Sequence, residues 1–377
     1  MSLRLPPVPA WSSALIAALI GFGGTVALVV QAMRVLGASI EQTGSALTAL
    51  CLGIALTGGF FSLKLRMPVV LAWSTPGAAL LAATAPGIAW PVAVGAFLAA
   101  AVMMVVLGAI PALGRLAARI PTTVASGMLA GVLLPFCLGL FRAGAADPLL
   151  VALLVAVFLL ARQRVPLYAL LLVLAAGIAI TMVRGDVAPL PPGATFGALT
   201  PVMPAFDVRT ILSIGVPFFL VTLVSQNLPG LVVLQAAGYT PNARTLIVGT
   251  GLTSLVAAPF GAHAISLAAI TATICTSDDA HPDPRKRWVV GMVYAGFYLV
   301  LALFSPALVR LFLALPEAVI VTLTGIALIP ALIGTMETML SVKEDRDAAI
   351  VTFLATGSGL ALFGLGAQRR LHVVGRH

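Results

Sequence analysis

From Met67 to Gly114 the chain carries no Asp, Glu, Lys, Arg or His. The same holds from Thr210 to Ala243, and between Thr245 and Ser277 the sole ionisable side chain is His263. A helix crosses the hydrocarbon core of a bilayer with about 20 apolar residues, so runs of this length read as membrane crossings. Only 9% of the 377 residues are charged and the mean hydropathy is +1.12, whereas a soluble domain carries about 25% charged residues. The chain is therefore expected to be one all-α polytopic membrane domain, without room for a separate soluble module.

The formal net charge of +9 does not point to nucleic acid. The basic residues sit between apolar runs, as in Lys64/Arg66, Arg115/Arg119, Arg162/Arg164 and Arg285-Lys286-Arg287. That pattern marks topology rather than a phosphate-binding face. Cys51, Cys137 and Cys275 lie in separate apolar runs, fit no metal motif and read as small packing residues. The run after Met1–Ala10 continues to Met33 without a small-residue cleavage site, so it reads as an uncleaved first span.

The chain nearly repeats itself. Pro111-Ala112-Leu113-Gly114-Arg115-Leu116 returns as Pro306-Ala307-Leu308-Val309-Arg310-Leu311, at an offset of 195. Pro121 returns as Pro316 and Pro135 as Pro330 in the same register. Apolar runs place spans at 12–34, 42–63, 68–84, 90–110, 121–141, 147–161 and 166–183, then at 210–237, 242–258, 262–277, 288–304, 317–340 and 347–366. Seven spans in the first half bring the second half in from the opposite side, so the repeats are inverted. Two membrane-embedded halves of this kind are the mark of a secondary transporter, with its site where the halves meet. The expected division is a first repeat at 1–184, an external linker at 185–209 and a second repeat at 210–377. With the amino terminus in the cytoplasm, thirteen basic residues fall inside and five outside, which favours that orientation. After Gly366 the sequence is too short and too basic to cross, so the fourteenth span is expected to be shortened or absent.

Two spans read as broken. Val69–Trp73 is β-favouring and leads into Ser74-Thr75-Pro76-Gly77, where Ser74 or Thr75 can cap a helix and Pro76 fits its first turn. A helix from there to Pro86 has about 10 residues and reaches ~15 Å, half the bilayer core. The partner break is placed at Pro259–His263, with Leu267-Ala268-Ala269 matched to Leu81-Ala82-Ala83 at an offset of 186. Two half-helices starting near mid-membrane would bring two positive N-termini together, a site for a small anion.

Polar groups in hydrocarbon need partners. Ser225, Gln226 and Asn227 lie mid-span, and they read either as substrate contacts or as interhelical glue. His263 reads as a packing residue or as the proton carrier, since imidazole titrates near neutrality. Phe22, Trp73, Phe218, Phe219 and Phe260 are the aromatic candidates, with Gly77 and Gly261 at the two breaks. Glu317 and Glu337 flank the twelfth span and read as interfacial. The acidic residues around His281 read as a solvated loop rather than a metal site. No paired carboxylates, His cluster or activated nucleophile occurs within the spans, so no enzyme is expected.

The stretch Pro-Val-Val-Leu-Ala-Trp-Ser-Thr-Pro-Gly-Ala-Ala-Leu-Leu (Pro68–Leu81) resembles the third span of benzoate/proton symporters of the BenE type. Pro-Phe-Gly-Ala-His-Ala-Ile (Pro259–Ile265) resembles their tenth, and the likeness runs to about Gly366. The resemblance implies a fold shared with nucleobase and sulfate permeases: seven plus seven inverted spans in a core and a gate domain. It also implies proton-coupled uptake of an aromatic carboxylate across the bacterial inner membrane. The partners would then be a small aromatic carboxylate, protons and membrane lipid, with a homodimer as the candidate assembly and no cofactor. Nucleobase permeases carry acidic residues in the eighth and tenth spans, where this chain has Gln226/Asn227 and His263. A permease for a nucleobase or small anion, or an anion channel, is the alternative.

Overall fold

The computed structural model describes residues 6–84, 87–110 and 121–358. The first copy of the proline motif (111–116), Pro86 and the basic tail after Gly366 lie outside the described residues.

Among the described residues eight helices are long and apolar enough to cross a membrane. The first span is built from α1 (Val8–Gly23) and α2 (Val26–Val35). Thr25, at the break, donates its hydroxyl back to the Gly21 carbonyl at 2.7 Å. Next comes α3 (Ile40–Leu65), opened by a capping box between Ser39 and Gln42. Strand β1 (Leu71–Trp73) and the short α4 (Thr75–Ala82) form the third span, followed by α5 (Trp90–Ala109). The first half ends with α6 (Thr122–Ala146), α7 (Pro148–Arg164) and α8 (Ala169–Arg184).

The second half opens with α9 (Val208–Ala236), which carries two π-helical turns. Then come α10 (Ala243–Ala257), strand β2 (Ile265–Leu267) and α11 (Ile270–Thr276). It closes with α12 (Trp288–Ala314), α13 (Glu317–Met339) and α14 (Arg346–Gly357).

The halves are joined through a two-stranded antiparallel sheet in the interior. Leu71 pairs with Leu267, Ala72 with Ser266 and Trp73 with Ile265. The ladder continues as Ser74 N–H to Ala264 O (3.2 Å) and Ala268 N–H to Val70 O (3.0 Å). The two strands come from opposite halves of the chain and run antiparallel. Their anchors match as well. Ser62 of α3 both donates to Val69 O and accepts from Val69 N–H, and Ser254 of α10 does the same for Ile265. Thr57 and Thr253 meet hydroxyl to hydroxyl at 2.7 Å between those helices. The offset of 195 recurs in the helix starts, Thr75 to Ile270 (270 − 75) and Thr122 to Glu317 (317 − 122).

Packing divides the helices into two bodies. α3 lies along α12 and α5 along α10, with α1, α4, α9 and α11 around the sheet. The second body holds α6, α7, α8, α13 and α14, where α6 packs on both α13 and α14. This is the core-and-gate arrangement expected. Small residues set its closest crossings. A Cβ at Gly127 would sit 2.4 Å from Ala349 O, and one at Gly131 2.6 Å from Phe353 O.

Three expectations are corrected. The second half-helix does not start at Phe260–His263. A 3-10 turn (Ala258–Phe260) ends at Gly261 with φ +90°, and the chain then enters β2. Ser254 and the ladder hold it extended until Ile270. The offset of 186 therefore fails, because Leu267 lies in a strand and Leu81 in a helix. The eleventh span ends at Ala314, not 304, since α12 runs through Pro306.

Candidate functional site

Trp73, the last residue of β1, and Ser74, which follows it, send their side chains into different surroundings. Ser74 caps α4 and is fully buried. Its hydroxyl oxygen accepts from Gly77 N–H (3.1 Å) and from the Thr222 hydroxyl of α9 (2.9 Å). Its carbonyl accepts from Ala78 N–H, and Pro76 has no N–H to offer. The first turn of α4 is thus largely satisfied by its own cap, which leaves the Thr75 N–H open. This modifies the expectation of several free donors at that end.

Above this turn lies Phe218 of α9. A Cβ at Gly77 would come within 2.4 Å of its ring, so glycine is required there by close approach. Phe218 stacks at 6.0 Å on both Phe97 of α5 and His263, and Phe97 lies 6.5 Å from His263. His263 is 0% exposed, and neither ring nitrogen has a hydrogen-bond partner. Beside this group a small cavity is lined by Ala101, Met104, Phe218, Thr222, Ala264 and Ile265, among others. It has room for about one water molecule.

Trp73 turns the other way. Its indole N–H donates to Thr25 Oγ1 at 2.8 Å, and its ring packs against Phe22 (5.4 Å) and Tyr298 (6.4 Å). Tyr294 stacks on Tyr298 at 4.8 Å and donates its hydroxyl to Leu71 O at 3.0 Å.

The expected residues therefore separate. Ser74, Thr75, Gly77 and His263 come together around the start of α4. Phe22 and Trp73 form a second group on the other side. Asn227 is fully buried behind β2, where its side-chain carbonyl accepts from Leu267 N–H (3.0 Å) and its amide faces Met104 Sδ (3.6 Å). Ser225 and Gln226 are half-buried on the same π-helical turn. Phe260 and Gly261 lie apart, where Ser45 donates to Phe260 O and Gly261 closes on Trp90. Sequence reasoning missed Phe97, Thr222, Tyr294 and Tyr298. Phe97 and the tyrosines stand on α5 and α12, the helices that follow the broken spans, which would have been the place to look.

The acidic loop is committed to ion pairs and turns. Arg287 is buried there, paired with Asp278 and donating to Thr276 O and His281 O. Asp283 accepts from Arg285 N–H, which with the neighbouring Arg285 and Lys286 charges holds its carboxyl below the usual carboxylate range. Among the described residues no cluster of three His, Cys, Asp or Glu side chains could hold a metal.

Comparison with known proteins fits this architecture. Two solved structures share the fold. The transmembrane domain of the cyanobacterial bicarbonate transporter BicA matches with a TM-score of 0.65 at 16% identity, over 92% of this chain and 95% of that one. Murine Solute Carrier 26 family member A9, an anion transporter in the inward-facing state, matches with a TM-score of 0.61 at 14% identity, over 95% and 66%. In sequence, the Inner membrane protein YdcO of Escherichia coli (strain K12) is 38% identical over 369 residues, 97% of this chain and 94% of its own. A Benzoate membrane transport protein of Acinetobacter baylyi is 36% identical over 352 residues, 93% and 89%. The family model for the benzoate membrane transport protein, BenE, matches residues 6–375, so the likeness runs past Gly366. The chain is a membrane transporter, not an enzyme, and belongs to the BenE family of benzoate membrane transport proteins.

Proposed function

We propose that this protein takes up benzoate, or a similar aromatic carboxylate, together with protons by alternating access across a bacterial inner membrane. The amino terminus is cytoplasmic, and residues 1–184 and 210–377 form repeats joined by an external linker at 185–209. The observation that carries this reading is the uncharged, aromatic-walled group where the two halves cross. The Thr75 N–H, the Ser74 hydroxyl, which Thr222 orients by donating to it, and His263 supply polar contacts without Lys or Arg. Phe97 and Phe218 supply faces for an aromatic ring. Neutral donors in a low dielectric hold a carboxylate without the cost of a buried cation. The cavity is smaller than the ligand, so binding requires the core and gate bodies to part, as alternating access does.

The test is uptake of labelled benzoate into proteoliposomes, with and without an inward proton gradient and with benzamide as competitor. Accumulation that requires the gradient and is untouched by benzamide is expected. Equal competition by benzamide would remove the carboxylate from the reading, and uptake indifferent to the gradient would remove proton coupling.

A further inference from the structure

The small cavity beside Phe218 lies between two helices that run side by side. Phe97 of α5 stacks on Phe218 of α9 at 6.0 Å, and Met104 of α5 meets Asn227 of α9, with its Sδ 3.6 Å from the side-chain amide. Both contacts advance in the same direction along the chain, so the two helices run in the same sense here. Phe97 and Met104 stand two turns apart (104 − 97), ~10 Å along the helix. Phe218 and Met104, one from each contact, both line the cavity. Thr222 lines it too, one turn beyond Phe218, and forms its polar edge by donating to Ser74.

Most of this lining cannot yield. The Phe218 ring is set against Gly77, and the Ile265 side chain is wedged against Gly53 of α3, where a Cβ would find no room. Thr222 is tied to Ser74, and Ser254 to both backbone groups of Ile265. The lining alanines have no rotamers to change. Met104 differs, being unbranched and flexible with a polarizable thioether, so it can repack around a guest. It is held by Asn227. The side-chain carbonyl of Asn227 accepts from Leu267 N–H, which turns its amide toward the Met104 sulfur, a weak acceptor. The same asparagine thus props β2 and sets the resting position of Met104.

We infer that Met104, held by the Asn227 amide, is the specificity-determining wall of the substrate cavity and limits the ring substituents of the acid that the protein takes. This rests on the carboxylate reading above. With the carboxylate at the Thr75 N–H and Ser74, the part of the ring away from it meets Met104, and a substituent there competes with the methionine side chain for the same space.

The experiment is equilibrium binding of benzoate and 4-methylbenzoate to the purified full chain, read as the ratio of the two dissociation constants, with thermal unfolding of the same samples. The wild type is expected to bind benzoate the more tightly. One extra methylene in an apolar pocket changes discrimination about 10- to 200-fold, and Met104→Ala should move the ratio toward 4-methylbenzoate by that order. Met104→Leu, of similar volume, should keep the wild-type ratio. Met103→Ala alters the neighbouring residue, which does not line the cavity, and should also keep it. A ratio unchanged in Met104→Ala, or moved equally by Met103→Ala, would overturn the inference, as would a wild type that does not prefer benzoate. If Met104→Ala does not fold, Met104→Val, which also shortens the side chain, decides in its place. A wild type that binds neither acid would sink the carboxylate reading itself, whereas binding of both with the ratio unmoved in Met104→Ala would sink only the role of Met104.

Discussion

At the scale of single residues, the fold separates polar groups with a partner from polar groups without one. Asn227 belongs to the first kind. It closes the backbone of β2 by accepting from Leu267 N–H. Asn227→Ala leaves that N–H buried and unpaired, which costs roughly 1–3 kcal/mol of stability. Thermal unfolding in detergent measures it, and Gln226→Ala, at a half-buried neighbour with no such bond, should unfold close to wild type. His263 belongs to the second kind. Its ring packs on Phe97 and Phe218 beside the Ser74 backbone, so His263→Gln, which keeps a polar side chain there, should fold and still bind benzoate. If His263 carries the proton, that variant loses the pH dependence of uptake. Accumulation against a gradient surviving in His263→Gln would assign the proton to the substrate's own carboxylate. Sequence alone could not separate these two residues, because both read as a polar group in an apolar span. Only the placement of β2 shows that Asn227 props the strand while His263 does not.

At the scale of elements, the short half-helices are legible in different degrees. Ser74-Thr75-Pro76-Gly77 carries its own cap and first-turn proline, and α4 starts where local chemistry puts it. The second break misleads, because Pro259 and Gly261 mark an extra turn before the strand rather than the start of the helix. The information that holds residues 262–268 extended lies in Ser254, 11 residues before Ile265, and in the partner strand, which is distant in sequence. α11 has its control at the other end. Arg287 donates to Thr276 O at the last turn and to His281 O in the loop beyond. A cation at a helix C-terminus offsets the negative end of the dipole. Arg287→Met keeps the bulk and removes those donors from buried carbonyls, costing roughly 1–3 kcal/mol. The loss should appear as a lower unfolding temperature and as faster hydrogen exchange in residues 270–287. Exchange unchanged in that segment would show that the helix is set by packing alone.

At the scale of the whole molecule, the apolar runs made a polytopic membrane fold readable, and eight helices among the described residues are long and apolar enough to cross. What no single run contains is which helices move together. That grouping comes from packing: α8 lies with α7 and α13, while α1 lies along α12. The two bodies touch where Gly23 of α1 meets α8, and a Cβ there would sit 3.1 Å from Leu171 Cδ2. Within the gate, a Cβ at Gly177 would sit 3.1 Å from Val319 Cγ1. The three native cysteines are buried and unpaired, so introduced pairs can be joined selectively. Gly23→Cys with Leu171→Cys, bridged by a short thiol-reactive linker, ties core to gate. Gly177→Cys with Val319→Cys ties the gate to itself. Alternating access requires the first body to shift against the second. The core–gate bridge should therefore abolish benzoate uptake into proteoliposomes and leave reduced protein active, while the bridge inside the gate should leave uptake intact. Transport that continues through a fully formed core–gate bridge would mean that the two bodies need not part, and would move the chain toward the channel reading.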